Sequence, residues 1–355
     1  MTNILNDLLI VDASTVLAGP SVGTFFAELG ARVIKVEHPS FGDVTRTWKT
    51  AKEDSDSSIS AYFSSVNYKK EYKRWDLSNP EDNTAFKELV ATADILLTNF
   101  KRGDDRKFGI EDGVLRQENP SLIIGKINGY GEESDRVAYD LILQAESGFM
   151  SMNGTPESGP VKMPVALIDV LAAHHLKEAL LLALLDRTKS NRGVSVSVSL
   201  YDAAVSSLVN QASNYLMSQL VPQRIGSLHP NIAPYGELFE TKDGATITFA
   251  IGSNAHFEKL CRILKLDDLL LNRAFSENQG RVAHRTELAQ AISAACIIRT
   301  SAEILAQMEE ANVPAGKITP LDEVFDAQKA QRLIREEVID GVSTKRITST
   351  VFTWK

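Results

Sequence analysis

Short apolar runs alternate with amphipathic stretches through the first third of the chain. Leu8-Leu9-Ile10-Val11 reads as a buried strand. A helix follows over 21–29, with Gly30 placed to close it in the left-handed conformation. Val33-Ile34-Lys35-Val36 is a second strand. A helix over 79–92 carries Pro80 in its first turn, where a missing N–H costs nothing. Ile95-Leu96-Leu97 and Leu122-Ile123-Ile124 supply two more strands. Strands at this spacing with helices between them predict an α/β fold built on a doubly wound parallel sheet. Residues 53–60 are rich in Ser and Asp and read as an exposed loop.

Past Pro164 the alternation continues. Val165-Ala166-Leu167-Ile168 reads as a short strand, and a long helix follows over 170–187. Leu176, Leu180 and Leu184 share one face of that helix. Val194, Val196 and Val198 alternate with serines, which predicts a strand buried on one side only. A helix over 201–219 completes a large domain over 1–220. After Val221-Pro222 a smaller α+β domain is expected over 221–320. It opens with a turn at Lys242-Asp243-Gly244 before a strand over 245–251. Three helices follow, over 256–266, 285–298 and 301–312. Residues 321–355 form a C-terminal segment of weak helical and strand character.

Composition narrows the function classes. The net charge of −8 argues against a nucleic-acid surface, which needs a basic stripe. Cys261 and Cys296 are the only cysteines, so no disulfide framework or thiolate metal cluster is expected, and both read as core residues. No apolar run reaches membrane-spanning length and the N-terminus has no secretory pattern, so a cytoplasmic protein without a membrane partner is expected. His174 and His175 are adjacent on a helix and make no metal-ligand spacing.

Three places carry candidate chemistry. The first βα turn, Ala18-Gly19-Pro20-Ser21-Val22-Gly23, contains glycines but lacks the GxGxxG spacing. Glu37 ends the second strand, where a dinucleotide fold puts its ribose-binding acid. The second place is Asp169, read as the N-cap of the long helix. An aspartate there either caps the helix or serves as a carboxylate nucleophile kept ionised by the helix N-terminus. The third is Arg136-Val137-Ala138-Tyr139-Asp140, which alone reads as another helix start.

In order along the chain, these pieces resemble the class III CoA-transferase family, which includes formyl-CoA:oxalate and carnitine CoA-transferases and α-methylacyl-CoA racemases. The resemblance runs through Val11-Asp12, Leu17-Ala18-Gly19-Pro20 and 29–37, then Gly42-Asp43-Val44-Thr45-Arg46 and 93–100. It continues through Asn119-Pro120-Ser121, Gly129-Tyr130-Gly131, Arg192-Gly193, Leu200-Tyr201-Asp202-Ala203, Ala233-Pro234-Tyr235, Asp243-Gly244 and Asn312-Val313-Pro314. By that resemblance Asp169 matches the nucleophilic aspartate. The CoA-binding positions fall on Leu17, Ala18, His38, Asn99, Phe100, Lys101, Lys107, Tyr139 and Asp140. The resemblance implies an interlocked homodimer whose C-terminal segment returns toward the large domain. It also implies acyl-CoA and a small carboxylic acid as substrates, with no tightly bound cofactor.

Several positions depart from the family pattern. Oxalate-using members carry glutamine where this chain has Leu17, and a glycine-rich loop that the stretch 231–242 lacks. A more apolar acceptor acid is therefore expected. Trp48 and Tyr62 resemble substrate-pocket aromatics of those members, with core packing as the alternative. Racemases place a histidine where this chain has Tyr139, a poor base at neutral pH, so transfer is favoured over racemisation. Many members continue past Trp354 with a helix that packs on the first domain; a chain ending at Lys355 is expected to hold its dimer more weakly, and CoA binding without turnover stands as a third reading.

Overall fold

The structure is a computed structural model and describes residues 3–353. They divide into two compact units. One takes the chain up to Met152, Pro160–Gln223 and the stretch from Gln331 on; the other takes Asn153–Gly159 and Arg224–Ala330.

The first unit is built on six parallel strands: β1 (Leu9–Asp12), β2 (Arg32–Glu37), β3 (Lys70–Arg74), β4 (Ile95–Thr98), β5 (Ile123–Asn128) and β6 (Ser195–Ser199), in the order β3-β2-β1-β4-β5-β6. The helices that cover them are α1 (Ala18–Glu28), α2 (Pro80–Ala91), α3 (Asp140–Glu146) and α4 (Leu167–Ser190). Both faces are covered, so the inner strands run apolar over consecutive positions, as in Leu9-Ile10-Val11 and Ile95-Leu96-Leu97, rather than alternating. Ile10, Val33, Ile95 and Leu97 pack on one face with Phe26 of α1 and Leu176 and Leu180 of α4. Val11, Val36, Leu96 and Ile124 pack on the other with Phe86 and Val90 of α2. The edge strand β6 turns Val196 and Val198 toward the first cluster, as its alternation predicts.

Local chemistry explains the ends. Gly30 takes φ 104°, its N–H donates to the Ala27 carbonyl, and the Ala31 N–H donates to that of Phe26. This is a Schellman closure of α1. Asn79 caps α2 through bonds from Glu81 and Asp82 N–H, and Pro80 is its first residue.

Three expectations need correction. α1 begins at Ala18 rather than residue 21, because Pro20 fits a first turn, where its absent N–H has no helical partner anyway. Residues 165–168 form no strand; Leu167 already opens α4. The helix expected over 201–219 is two helices, Leu200–Ser206 and Val209–Ser218. At the break the Ser206 and Ser207 hydroxyls both donate to the Ala203 carbonyl, drawing it away from the helical ladder.

The second unit pairs β7 (Tyr235–Glu240) antiparallel with β8 (Thr246–Ala250), which pairs antiparallel with β9 (Ala315–Lys317). Gly244 makes the hairpin turn at φ 74°. The helices α5 (Asn254–Leu264), α6 (Arg285–Cys296) and α7 (Ser301–Glu310) close a core of Phe239, Ile247, Phe249, Ile292 and Met308. Cys261 and Cys296 are buried in it as free thiols. Thr300 and Glu303 form a capping box that starts α7. The chain then returns to the first unit with an antiparallel hairpin, β10 (Ile334–Ile339) and β11 (Val342–Ile347). No single described helix is long and apolar enough to cross a membrane.

Candidate active site

The strand order reverses direction between β1 and β4, and open α/β sheets bind ligands in the crevice outside the strand ends at such a switch point. A cleft of about 610 Å³ lies there. The loop after β1 lines it with Val16, Leu17 and Ala18, and the loop after β4 with Asn99, Phe100, Lys101 and Arg102. The opposite wall runs from Lys126 through Gly129 to Tyr139, and Asp169 joins it. Gly129 is required at this wall: a Cβ there would stand 2.4 Å from that of Ala138.

Asp169 is 7% exposed and occupies the third residue of α4. Ala166 is the N-cap, so the expected capping role for Asp169 does not hold. The capping bond comes instead from Asp140, whose Oδ1 accepts from the Ile168 N–H at 3.2 Å. Gln144 holds Asp140 with Nε2 at 3.1 and 2.8 Å from its two oxygens, and accepts from the Met163 N–H at 2.8 Å. The segment leading into Asp169 is therefore stapled to α3. Burial, and then the nearby Asp140 charge, pushes the Asp169 carboxyl up to about 7. The sequence reading expects the helix N-terminus to keep this group ionised; desolvation outweighs that effect.

Trp48 and Tyr62 stack edge to face at 5.1 Å. Burial, followed by the charges of Asp169, Asp140 and Asp43, pushes the Tyr62 phenol up to about 12. Tyr62 thus shares the electrostatic surroundings of Asp169 and stays a hydrogen-bond donor at neutral pH. Cations and acids share the cleft lining: Lys101, Arg102, Lys126 and Arg136 stand with Asp105, Glu132, Glu133 and Asp135, and Arg102 pairs with Glu133 at 3.3 Å and Lys126 with Asp112 at 2.8 Å. Arg136 stacks 4.0 Å over the Tyr130 ring and pairs with Glu146 at 2.7 Å.

Of the sequence candidates, Leu17, Ala18, Asn99, Phe100, Lys101, Tyr139 and Asp169 line the cleft together. Asp140 supports Asp169 from a buried position. His38 stands outside this lining, stacked on Phe41 at 3.7 Å and 3.6 Å from Asp76. Lys107 also stands outside it, its ammonium 5.1 Å over the Phe108 ring. Glu37 is the buried bidentate partner of Arg46, at 3.0 and 2.8 Å, which accounts for the acid at the end of β2. His174 and His175 are both exposed on α4. Lys126 and Asn128 of the cleft wall were not singled out from sequence, since nothing local marks a strand end as a ligand wall.

Comparisons with known proteins find likeness in both sequence and fold. The family model described as CoA-transferase family III matches residues 5–353. Succinate--glutarate CoA-transferase of Agrobacterium fabrum is 36% identical, over 97% of this chain and 89% of its own. Succinyl-CoA:glutarate CoA-transferase of Mus musculus is 34% identical, over 90% of this chain and 73% of its own. The crystal structure of a CAIB/BAIF family protein from Brucella suis superposes with a TM-score of 0.84 at 32% identity, covering 99% of this chain and 93% of that one.

Proposed function

Because this chain belongs to CoA-transferase family III, we propose that it moves CoA from a dicarboxylic acyl-CoA such as succinyl-CoA to a free acid of glutarate's size, through covalent intermediates on Asp169. The observation that carries this reading is a nearly buried carboxylate on the wall of a cleft that also presents Leu17, Asn99, Tyr139 and the cations Lys101, Arg102 and Arg136. Lys101, Arg102 and Arg136 suit the phosphates of a CoA ester. Leu17 on the cleft wall suits a methylene chain better than bare oxalate, and the relatives named for glutarate support that choice.

In this reading the Asp169 carboxylate attacks the thioester carbonyl. The C–S bond breaks, CoA thiolate leaves, and an aspartyl–acyl anhydride remains. The thiolate then attacks the aspartyl carbonyl, releasing the donor acid and leaving aspartyl-CoA. The acceptor carboxylate attacks that thioester and forms a second anhydride. The returning thiolate takes the new acyl group and restores Asp169. No net proton is consumed, and every intermediate is open to hydrolysis, so the burial of Asp169 protects the transfer potential. The same reading carries an interlocked homodimer, with the active site where two chains meet. Leu182 and Leu185, 66% and 56% exposed on α4, support a covering partner surface.

Intact-mass spectrometry with succinyl-CoA and a panel of other acyl-CoAs tests the chemistry. Wild type is expected to gain the mass of CoA, and Asp169→Ala to show neither the gain nor turnover. Undiminished transfer by Asp169→Ala would refute the reading.

A further inference from the structure

The loop between β1 and α1 holds a conformation that its own sequence disfavours. Val16 has φ 74°, in the left-handed region that a β-branched residue rarely adopts. Side chains distant in sequence hold it there. The Val16 N–H donates to Asp43 Oδ2 at 3.1 Å. The Asn99 amide takes both the Thr15 N–H, at 3.0 Å, and the Thr15 carbonyl, at 2.9 Å. The Ser14 carbonyl accepts from Lys35 Nζ at 2.7 Å.

Asp43 and Lys35 are both fully buried, with Nζ 3.2 Å from Oδ2. Thr45 fixes the other oxygen of Asp43, donating from its N–H at 3.0 Å and its hydroxyl at 2.7 Å. One sealed ion pair therefore grips the loop at Ser14 and at Val16. The next two residues, Leu17 and Ala18, lie on the cleft wall with Asp169. α1 has no side-chain cap, and the N–H groups of Leu17 and Ala18 have no partner among the described residues.

We propose that Asp43 is a positioning residue for CoA transfer: by holding Val16 left-handed it keeps the unpaired Leu17 and Ala18 N–H groups on the cleft wall, where a thioester carbonyl under attack needs donors. The proposal rests on the reading of the cleft as the transfer site. Asp43 touches no substrate; it acts through the backbone of Val16.

A double-mutant cycle tests it on overall turnover, using the most active donor–acceptor pair from the panel above. In Asp43→Asn an amide replaces one of the two acceptor oxygens, so Val16 loses its grip. Turnover is expected to fall about 10-fold or more in kcat with little change in KM for the CoA ester. Glycine adopts the left-handed conformation freely, so in a Val16→Gly background the same Asp43→Asn change is expected to lower kcat by less than about 3-fold. Equal losses in both backgrounds, or no loss in either, would overturn the proposal. Should Asp43→Asn fail to fold, as judged by its thermal melt, Thr45→Val loosens the same carboxylate without leaving Lys35 unpaired. It is then run in the same two backgrounds and read the same way. Covalent CoA on Asp169 is scored separately, so failure of the anhydride route and failure of this inference are distinguishable.

Discussion

At Asp169 two physical effects oppose each other. The first turn of α4 favours negative charge, whereas burial and Asp140 disfavour it and prevail. In the proposed mechanism only the ionised carboxylate attacks, so kcat/KM is expected to fall as the pH drops below about 7, far above the usual aspartate value of 3.8. Asp140→Asn removes the neighbouring charge and is expected to move that acid limb downward, which a pH–rate profile reads directly. An unmoved limb would mean that Asp140 does not set the ionisation. The same group acts on stability with a definite sign. Its folded pKa lies above its unfolded one, so its contribution is complete below about 3.8 and is lost as pH rises through about 7. Asp169→Asn is therefore expected to stabilise the protein at about pH 8 by up to about 4 kcal/mol, a gain that vanishes near pH 3.5. Denaturant melts at the two pH values check this.

Among the elements, α4 does two jobs. Its N-terminal turn carries Asp169, and Leu176 and Leu180, both essentially buried, tie it to the sheet. Leu180→Ala is expected to cost about 2–5 kcal/mol through the cavity it leaves, measured as a lowered unfolding midpoint. The leucine spacing of this helix was legible in the sequence, but its start was not. Val165 and Ala166 resemble a strand by residue type, yet Leu167 already opens the helix, and the bond that starts it comes from Asp140 on another element. The wall between Gly129 and Ala138 shows the same dependence on a distant partner. Gly129→Ala is expected to push the 136–139 strip outward and raise KM for the CoA ester several-fold, with kcat less affected. An unchanged KM would show that this strip does not shape the cleft.

Over the first unit as a whole, Glu28 joins the end of α1 to residues more than 300 positions later. Its buried carboxylate accepts from the Ser349 and Thr350 N–H groups, the Thr348 and Ser349 hydroxyls and the Arg346 guanidinium. Burial works against its charge, but Arg346 and these bonds outweigh it and hold the carboxyl below its usual range. Its stabilisation is accordingly present above the unfolded value near 4.5 and lost as pH falls through the lower folded value. Glu28→Gln leaves Arg346 buried without its charge partner and is expected to destabilise by about 3–5 kcal/mol. It is also expected to admit proteolysis at Lys345, which limited trypsin digestion would detect. Full resistance of the variant would show that the hairpin is anchored elsewhere.

Local patterns along the chain set the order and type of most elements, because strand runs, helix periodicity and caps such as Gly30 and Asn79 act within a few residues. An ordered set of short motifs also marked Asp169 and much of the cleft lining. The tertiary structure alone decided how charged that aspartate is, since burial and Asp140 reach it only after folding. It likewise decided that Glu37 pairs with Arg46 and that Val16 is held left-handed by Asp43. Period and capping are local properties of a chain, whereas desolvation, charge pairing and backbone strain depend on which distant side chains the fold brings within about 3 Å.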